Sequence, residues 1–216
     1  MTITHDEIIF FLPNVTETQR GEIKFFFDFY SADFGINTRE NMSKFFANLR
    51  YGLKFDKNKN IVTRENFSQT RQELEKLVKK DRKRLELTEP LEGLVGLQRE
   101  KAIAYLIYGN SRTTREESYK YRKSSAFNLV GKRNTHLIKI LIKNCTGEDM
   151  ESLDTIKSFM LLSLGFWMWT KANECTSSSK RSLILNPQAN KYERNQRAKL
   201  VRTFNFFLGL DCSSQN

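Results

Sequence analysis

Glycine and proline are scarce in this chain: 10 Gly and 3 Pro among 216 residues, against 17 Phe. A sandwich or barrel of short strands needs a turn roughly every 8–12 residues, and those turns draw on Gly and Pro for their backbone angles. The scarcity therefore disfavours a many-stranded architecture and favours helices. A chain of this length can bury a core. Its balance of 39% apolar and 28% charged residues is that of a soluble globular protein. The expected fold class is mainly α, a multi-helix globular protein with at most a minor hairpin or short strand near its N-terminal half.

Helical periodicity and stop signals divide the chain. Ile8 to Pro13 is a short apolar run ended by proline, which reads as an isolated strand or an extended arm. Thr16 and Gln19 have capping-box spacing and open a helix that stops near Gly35. A second helix carries Phe45, Phe46 and Leu49. The polar turn after Gly52 suits a small hairpin, with Leu53 and Phe55 facing Ile61. A long third helix is expected from Arg64 to Leu87, with Phe67, Leu74, Val78 and Leu85 at helical spacing and Pro90 beyond its end. Further helices follow over 91–109, 114–131, 133–144 and 148–172, and the last lies between Pro187 and Gly209. Two organisations fit this pattern: an N-terminal lobe 1–109 with a basic C-terminal lobe 110–216, or one domain over 1–216.

Thr-Arg-Glu occurs three times, at Thr38, Thr63 and Thr114, and Ile36–Ser43 closely matches Ile61–Ser68. A calcium loop would need a central glycine and a closing bidentate Glu. Counting from Asp56, those positions hold Ile61 and Phe67, so the calcium reading fails. Threonine at a helix N-cap, followed by glutamate near the positive end of the helix dipole, explains the phrase better. All three threonines are therefore expected at helix starts.

Catalytic raw material is thin. His5 lies at the expected frayed start, and His136 reads as a core or interface histidine. Cys145, Cys175 and Cys212 have no metal-ligand spacing. No phosphate-binding glycine loop appears, and Asp33–Gly35 shares only letters with the kinase motif. Glu22–Lys24 keeps a metal-dependent nuclease open as a third reading. The expectation is a non-enzymatic protein with no cofactor and no metal. The odd number of cysteines suggests reduced thiols and a cytoplasmic location. The most apolar stretch, Phe159 to Trp169, is shorter than the ~20 residues of a membrane span and reads as a buried helix, so no membrane association is expected.

Charge says more. Lys and Arg number 36 against 25 Asp and Glu, a formal charge of +11, which argues for a polyanionic partner. The third helix would place Lys76, Lys79, Lys80, Lys83 and Arg84 on one face. Tyr119, Lys120, Tyr121, Arg122 and Lys123 interleave rings with cations, the composition that stacks on bases and pairs with phosphates of single strands. Lys132 and Arg133 extend this cluster, and Lys191, Arg194 and Arg197 form another. These residues are the candidate nucleic-acid contacts.

The aromatic runs Phe25–Tyr30 and Phe204–Leu210 hold more Phe than one helix face can bury, because neighbouring side chains diverge by about 100°. Phe26 is expected to point away from a buried Phe25/Phe29 face. Phe206, Phe207 or the arm Ile8–Leu12 is expected against another subunit. In size, charge and helix content the chain is similar to small helical nucleoproteins of segmented negative-strand RNA viruses and to helical small subunits of RNA-guided bacterial complexes, a resemblance that transfers no residue. The expected function is single-stranded nucleic-acid binding, RNA before DNA, within a ribonucleoprotein assembly whose other subunits are partners. The alternative is a helical adaptor with a basic docking surface for an acidic protein.

Overall fold

The computed structural model describes residues 1–65, 67, 70–78, 91 and 93–210. Among them the chain is a multi-helix globular fold, mainly α-helical. The helices are α1 His5–Phe11, α2 Glu17–Tyr30, α3 Arg39–Gly52, α4 Arg71–Val78, α5 Gly96–Tyr108, α6 Arg115–Lys120, α7 Lys132–Thr146, α8 Ile156–Trp169, α9 Ser178–Leu185 and α10 Lys191–Phe207, with a 3-10 turn at Ala172–Glu174. The expected hairpin is present as one antiparallel bridge between Phe55 and Ile61. The Asp56 carboxylate accepts from the amides of Asn58 (2.8 Å) and Asn60 (2.9 Å), so its oxygens organise this turn. Gln19 fastens the hairpin to α2 by accepting from the Ile61 amide at 3.2 Å.

Most helix starts follow side-chain oxygens; α5 and α7, which open after Val95 and Gly131, have no side-chain cap. Thr16 and Thr38 each accept from the amide three residues on. Thr114 makes a full capping box with Glu117. Thr63 departs from the repeat. It sits in a bend, its hydroxyl donates to the Asp154 carbonyl at 3.4 Å, and α4 opens only after Thr70. Thr70 and Glu73 supply the reciprocal bonds, amide to carboxylate at 2.7 Å and amide to hydroxyl at 3.3 Å. The helical part of the expected third element therefore begins at Arg71 instead of Arg64, and residues 79–90 lie outside the described residues.

Other elements differ from expectation too: the helix expected over 114–131 ends at Lys120, and α9 forms between the last two expected helices. The run Ile8–Leu12 belongs to α1 and its C-cap, started by a Thr4–Glu7 capping box. Its Ile8, Phe11 and Leu12 are buried in this chain's own core. The acidic segment before Phe159 is a loop; α8 starts at Ile156 under Thr155. Within that loop Glu148 accepts from Tyr30 (2.5 Å) and pairs with Lys157 (2.7 Å), which ties α2 to α8.

Helix α8 is buried continuously from Ser158 to Trp167 and passes through the centre of the fold. Helices α2 and α7 pack on it, while α3 packs on α10. Gly165 lets α7 approach, because a Cβ there would stand 2.9 Å from Ile138 Cγ2. The larger core joins Phe27, Phe45, Phe46, Phe127 and Trp167 with side chains from both sides of residue 109, and Phe45 meets Trp167 edge-on at 5.4 Å. A smaller core holds Phe67, Leu74, Ile103 and Ala104, with Tyr108 and Tyr119 packed against it. Among the described residues no helix is long and apolar enough to cross a membrane.

Candidate nucleic-acid interface

Helix α5 ends at Gly109, and the turn that follows is set by Asn110, whose side-chain oxygen accepts from the Arg112 amide at 2.8 Å. After α6 the chain leaves helical geometry at Tyr121 and runs irregularly to Gly131, which caps α7 with φ 92°, a conformation that favours glycine. The Gly131 amide donates to the Tyr121 carbonyl at 2.8 Å and draws the two ends of this segment together. Between the 110–113 turn, Tyr121 and the first turn of α7 lies an open cleft of about 710 Å³. Tyr108, Arg112, Tyr121, Lys132, Arg133 and His136 contribute to its wall, and among the described residues no carboxylate does.

The electrostatics of the cleft follow from its few pairings. Lys132 donates to Glu117 at 2.7 Å; this bond holds the Glu117 carboxyl below the usual range and the Lys132 ammonium above it. Among the described residues Arg112 and Arg133 make no ion pair. The first turn of α7 carries no acid, so Lys132 and Arg133 face the positive end of their own helix, where an anion would be stabilising. Nearby, Lys120 is exposed, with its Nζ 5.6 Å from the Tyr121 ring centroid. Burial pushes the Lys139 ammonium down, and the charge of Lys120 adds to that. Tyr108 turns its hydroxyl to Glu65, and burial together with that carboxylate's charge pushes the phenol well above its ordinary range.

The sequence candidates divide. Tyr121, Lys132 and Arg133 share the cleft, with Lys120 beside them. Arg122 is buried: its Nε donates to the Glu65 carbonyl at 2.7 Å and its Nη1 to the Tyr119 carbonyl at 2.8 Å. Tyr119 packs on the smaller core and donates to Glu100 at 3.0 Å. Lys123 is half-buried, and burial followed by repulsion from Lys54 lowers its pKa. Arg197 is buried as well, donating to Asn48 Oδ1 at 3.0 Å with its guanidinium 4.5 Å from the Tyr51 ring centroid. Arg194 is half-buried and donates to the Ala189 carbonyl at 3.1 Å. Lys191 on α10 and Lys76 on α4 are exposed. Lys79, Lys80, Lys83 and Arg84 lie outside the described residues.

Reading Arg122 and Arg197 as strand contacts is thus corrected for their side chains, which are spent on internal bonds. The cleft adds Arg112, Tyr108 and His136, which cluster density did not single out. His136 is exposed on its wall and is not a core residue. The local signal for Arg112 is the Asn-Ser-Arg turn, but nothing in the sequence brings Tyr121 and Gly131 to the same place. Compared with known proteins, the chain matches no family model and no curated protein sequence.

Proposed function

We propose that this protein binds single-stranded nucleic acid, RNA ahead of DNA, as a non-enzymatic subunit of a ribonucleoprotein assembly. The observation that carries the reading is the cleft between the 110–113 turn and α7. It sets Tyr121 beside Arg112, Lys132 and Arg133, and among the described residues no carboxylate lines it. Rings offer every base a stacking surface without choosing a sequence, and cations beside them take the phosphates. The free thiols of Cys145 and Cys175 suit a reducing intracellular setting.

The test is fluorescence anisotropy with a short labelled single-stranded RNA, repeated across salt concentrations and with the matching DNA. Affinity falls steeply with salt, and Arg112→Ala combined with Arg133→Ala reduces the slope by about 0.7 for each lost phosphate contact. Salt-independent binding, or a double variant that binds as the parent does, overturns the reading. Polyglutamate binding at the same cleft with RNA excluded would favour the adaptor alternative.

A further inference from the structure

Helices α2 and α10 each leave one face uncovered, and the two faces have opposite character. On α2, Ile23, Phe27 and Tyr30 are buried, while Phe25 and Phe29 stand 61% and 66% exposed. The sequence expectation had this face reversed. The Phe25 and Phe29 rings lie 6.2 Å apart and 20° from parallel. Beside them Gly21 presents no side chain, and a Cβ built there meets nothing within 4 Å. These residues line an open groove of about 430 Å³. Within its lining Lys24 and Asp28 pair and neutralise each other, while the two exposed charges of α2, Glu17 and Glu22, are both acidic in a chain of net charge +11.

Helix α10 buries Arg197, Val201 and Phe204 and exposes the opposite stripe. Lys199, Arg202 and Phe206 follow one another there at three- and four-residue spacing, all exposed, with Phe206 82% exposed. This stripe is basic, has no acid, and ends in an aromatic ring.

We infer that the occupant of the α2 groove is the end of α10 from a second copy of this chain. Phe206 of one copy enters the space beside Gly21, Phe25 and Phe29 of the next, and Lys199 and Arg202 meet Glu17 and Glu22. Complementarity of charge is what selects the partner: an aromatic groove on a helix whose exposed charges are acidic meets a basic stripe that ends in an aromatic ring, and every copy carries both. Because the two faces differ, the contact is head-to-tail and generates an open chain or a ring instead of a closed pair. The inference rests on the assembly part of the proposed function and gives it a surface.

The test separates assembly from RNA binding by running without RNA. Light scattering compares the parent protein with Phe29→Asp and Phe206→Asp, each changed at an exposed side chain. The parent gains mass with concentration, and either variant alone stays at the mass of a single copy. Mixing them restores one contact, between the intact groove of the Phe206→Asp copy and the intact stripe of the Phe29→Asp copy. The mixture should therefore give a one-to-one pair and nothing larger. Helical circular dichroism and binding of a short single strand should remain within twofold of the parent for each variant. A parent that never gains mass, a Phe206→Asp variant that associates like the parent, or a mixture that stays single overturns the inference. Loss of RNA binding with assembly intact would instead count against the cleft.

Discussion

The Arg122 guanidinium carbon lies 3.9 Å from the centroid of the Tyr119 ring, so a tyrosine and an arginine three residues apart stack on each other inside the protein. Burial lowers the guanidinium pKa, with repulsion from Arg64 second. Hydrogen bonds to the Glu65 and Tyr119 carbonyls offset the desolvation. The pair joins α6 to the segment around Glu65. Arg122→Ala should therefore lower stability by about 2–4 kcal/mol, since bonds from a charged donor contribute about 1.5–3 kcal/mol each and the carbonyls lose their partner. Chemical denaturation measures this. A variant as stable as the parent, with weakened strand affinity, would return Arg122 to the interface.

Tyr121 should behave in the opposite way. Its ring borders the cleft beside Lys120, and it lies outside both apolar clusters. Tyr121→Ala should cost about 1–3 kcal/mol of single-strand affinity, the usual contribution of one stacked base, while Tyr121→Phe keeps the ring and most of the affinity. Anisotropy titration of both variants checks the pair.

The repeated Thr-Arg-Glu phrase yields a graded prediction. Thr114 caps α6 through the Glu117 amide at 3.1 Å, and Thr38 caps α3 through the Asn41 amide at 3.2 Å. Alanine at either should cost about 1 kcal/mol. Among the described residues Thr63 caps no helix, so Thr63→Ala should change stability by no more than about 0.5 kcal/mol, the range of ordinary surface substitutions. Thr70→Ala takes the larger cost at α4. Equal losses at Thr63 and Thr114 would contradict this assignment.

Glu7 makes the attachment of α1 sensitive to acid. Burial of its carboxyl raises the pKa, but the Thr4 amide at 2.8 Å and the Arg39 guanidinium at 2.6 Å outweigh it, and the group ends below its usual range. A depressed carboxyl contributes stability above the unfolded pKa of about 4.3, and that contribution disappears as pH falls through the folded value. Urea midpoints should therefore drop more steeply below about pH 4.3 in the parent than in Arg39→Ala. Parallel profiles would show that Arg39 does not hold the carboxylate.

The helical class was legible because turn residues are scarce and helix starts are written locally. Thr16, Thr38 and Thr114 each needed only the next three positions. Thr4–Glu7 carried the same signal, yet the apolar run behind it has strand length, and only its packing against Phe46 and Phe204 decides for a helix. Charge density located the segment that forms the cleft but could not tell exposed from buried cations. Arg133 and Arg197 both sit in basic helical text. One reaches solvent and the other lies beneath Tyr51, a residue 146 positions away whose approach depends on α3 packing against α10. The exposed side of the Phe25–Tyr30 run was undetermined for the same reason: which face α8 covers is a tertiary choice.

Two glycines test that tertiary packing with opposite signs. Gly52 closes α3 against the irregular segment that leads to the cleft, and a Cβ there would stand 1.8 Å from the Ala126 carbonyl oxygen. Ala126 cannot easily retreat, because it is buried and its amide donates to Ser163 on α8 at 3.3 Å. Gly52→Ala must therefore shift backbone, and should lower stability by at least the ~1–3 kcal/mol typical of overpacking. Gly21 lies inside α2, where an added Cβ meets nothing within 4 Å among the described residues. Gly21→Ala should raise stability by about 0.5–1 kcal/mol, since glycine loses more backbone freedom in a helix than alanine does. Thermal or urea unfolding of the two single variants, at concentrations where the parent is a single copy, separates the cases. A tolerated Gly52→Ala would mean that α3 and the 121–131 segment are not held together, and the wall of the cleft would lose the support that positions Tyr121.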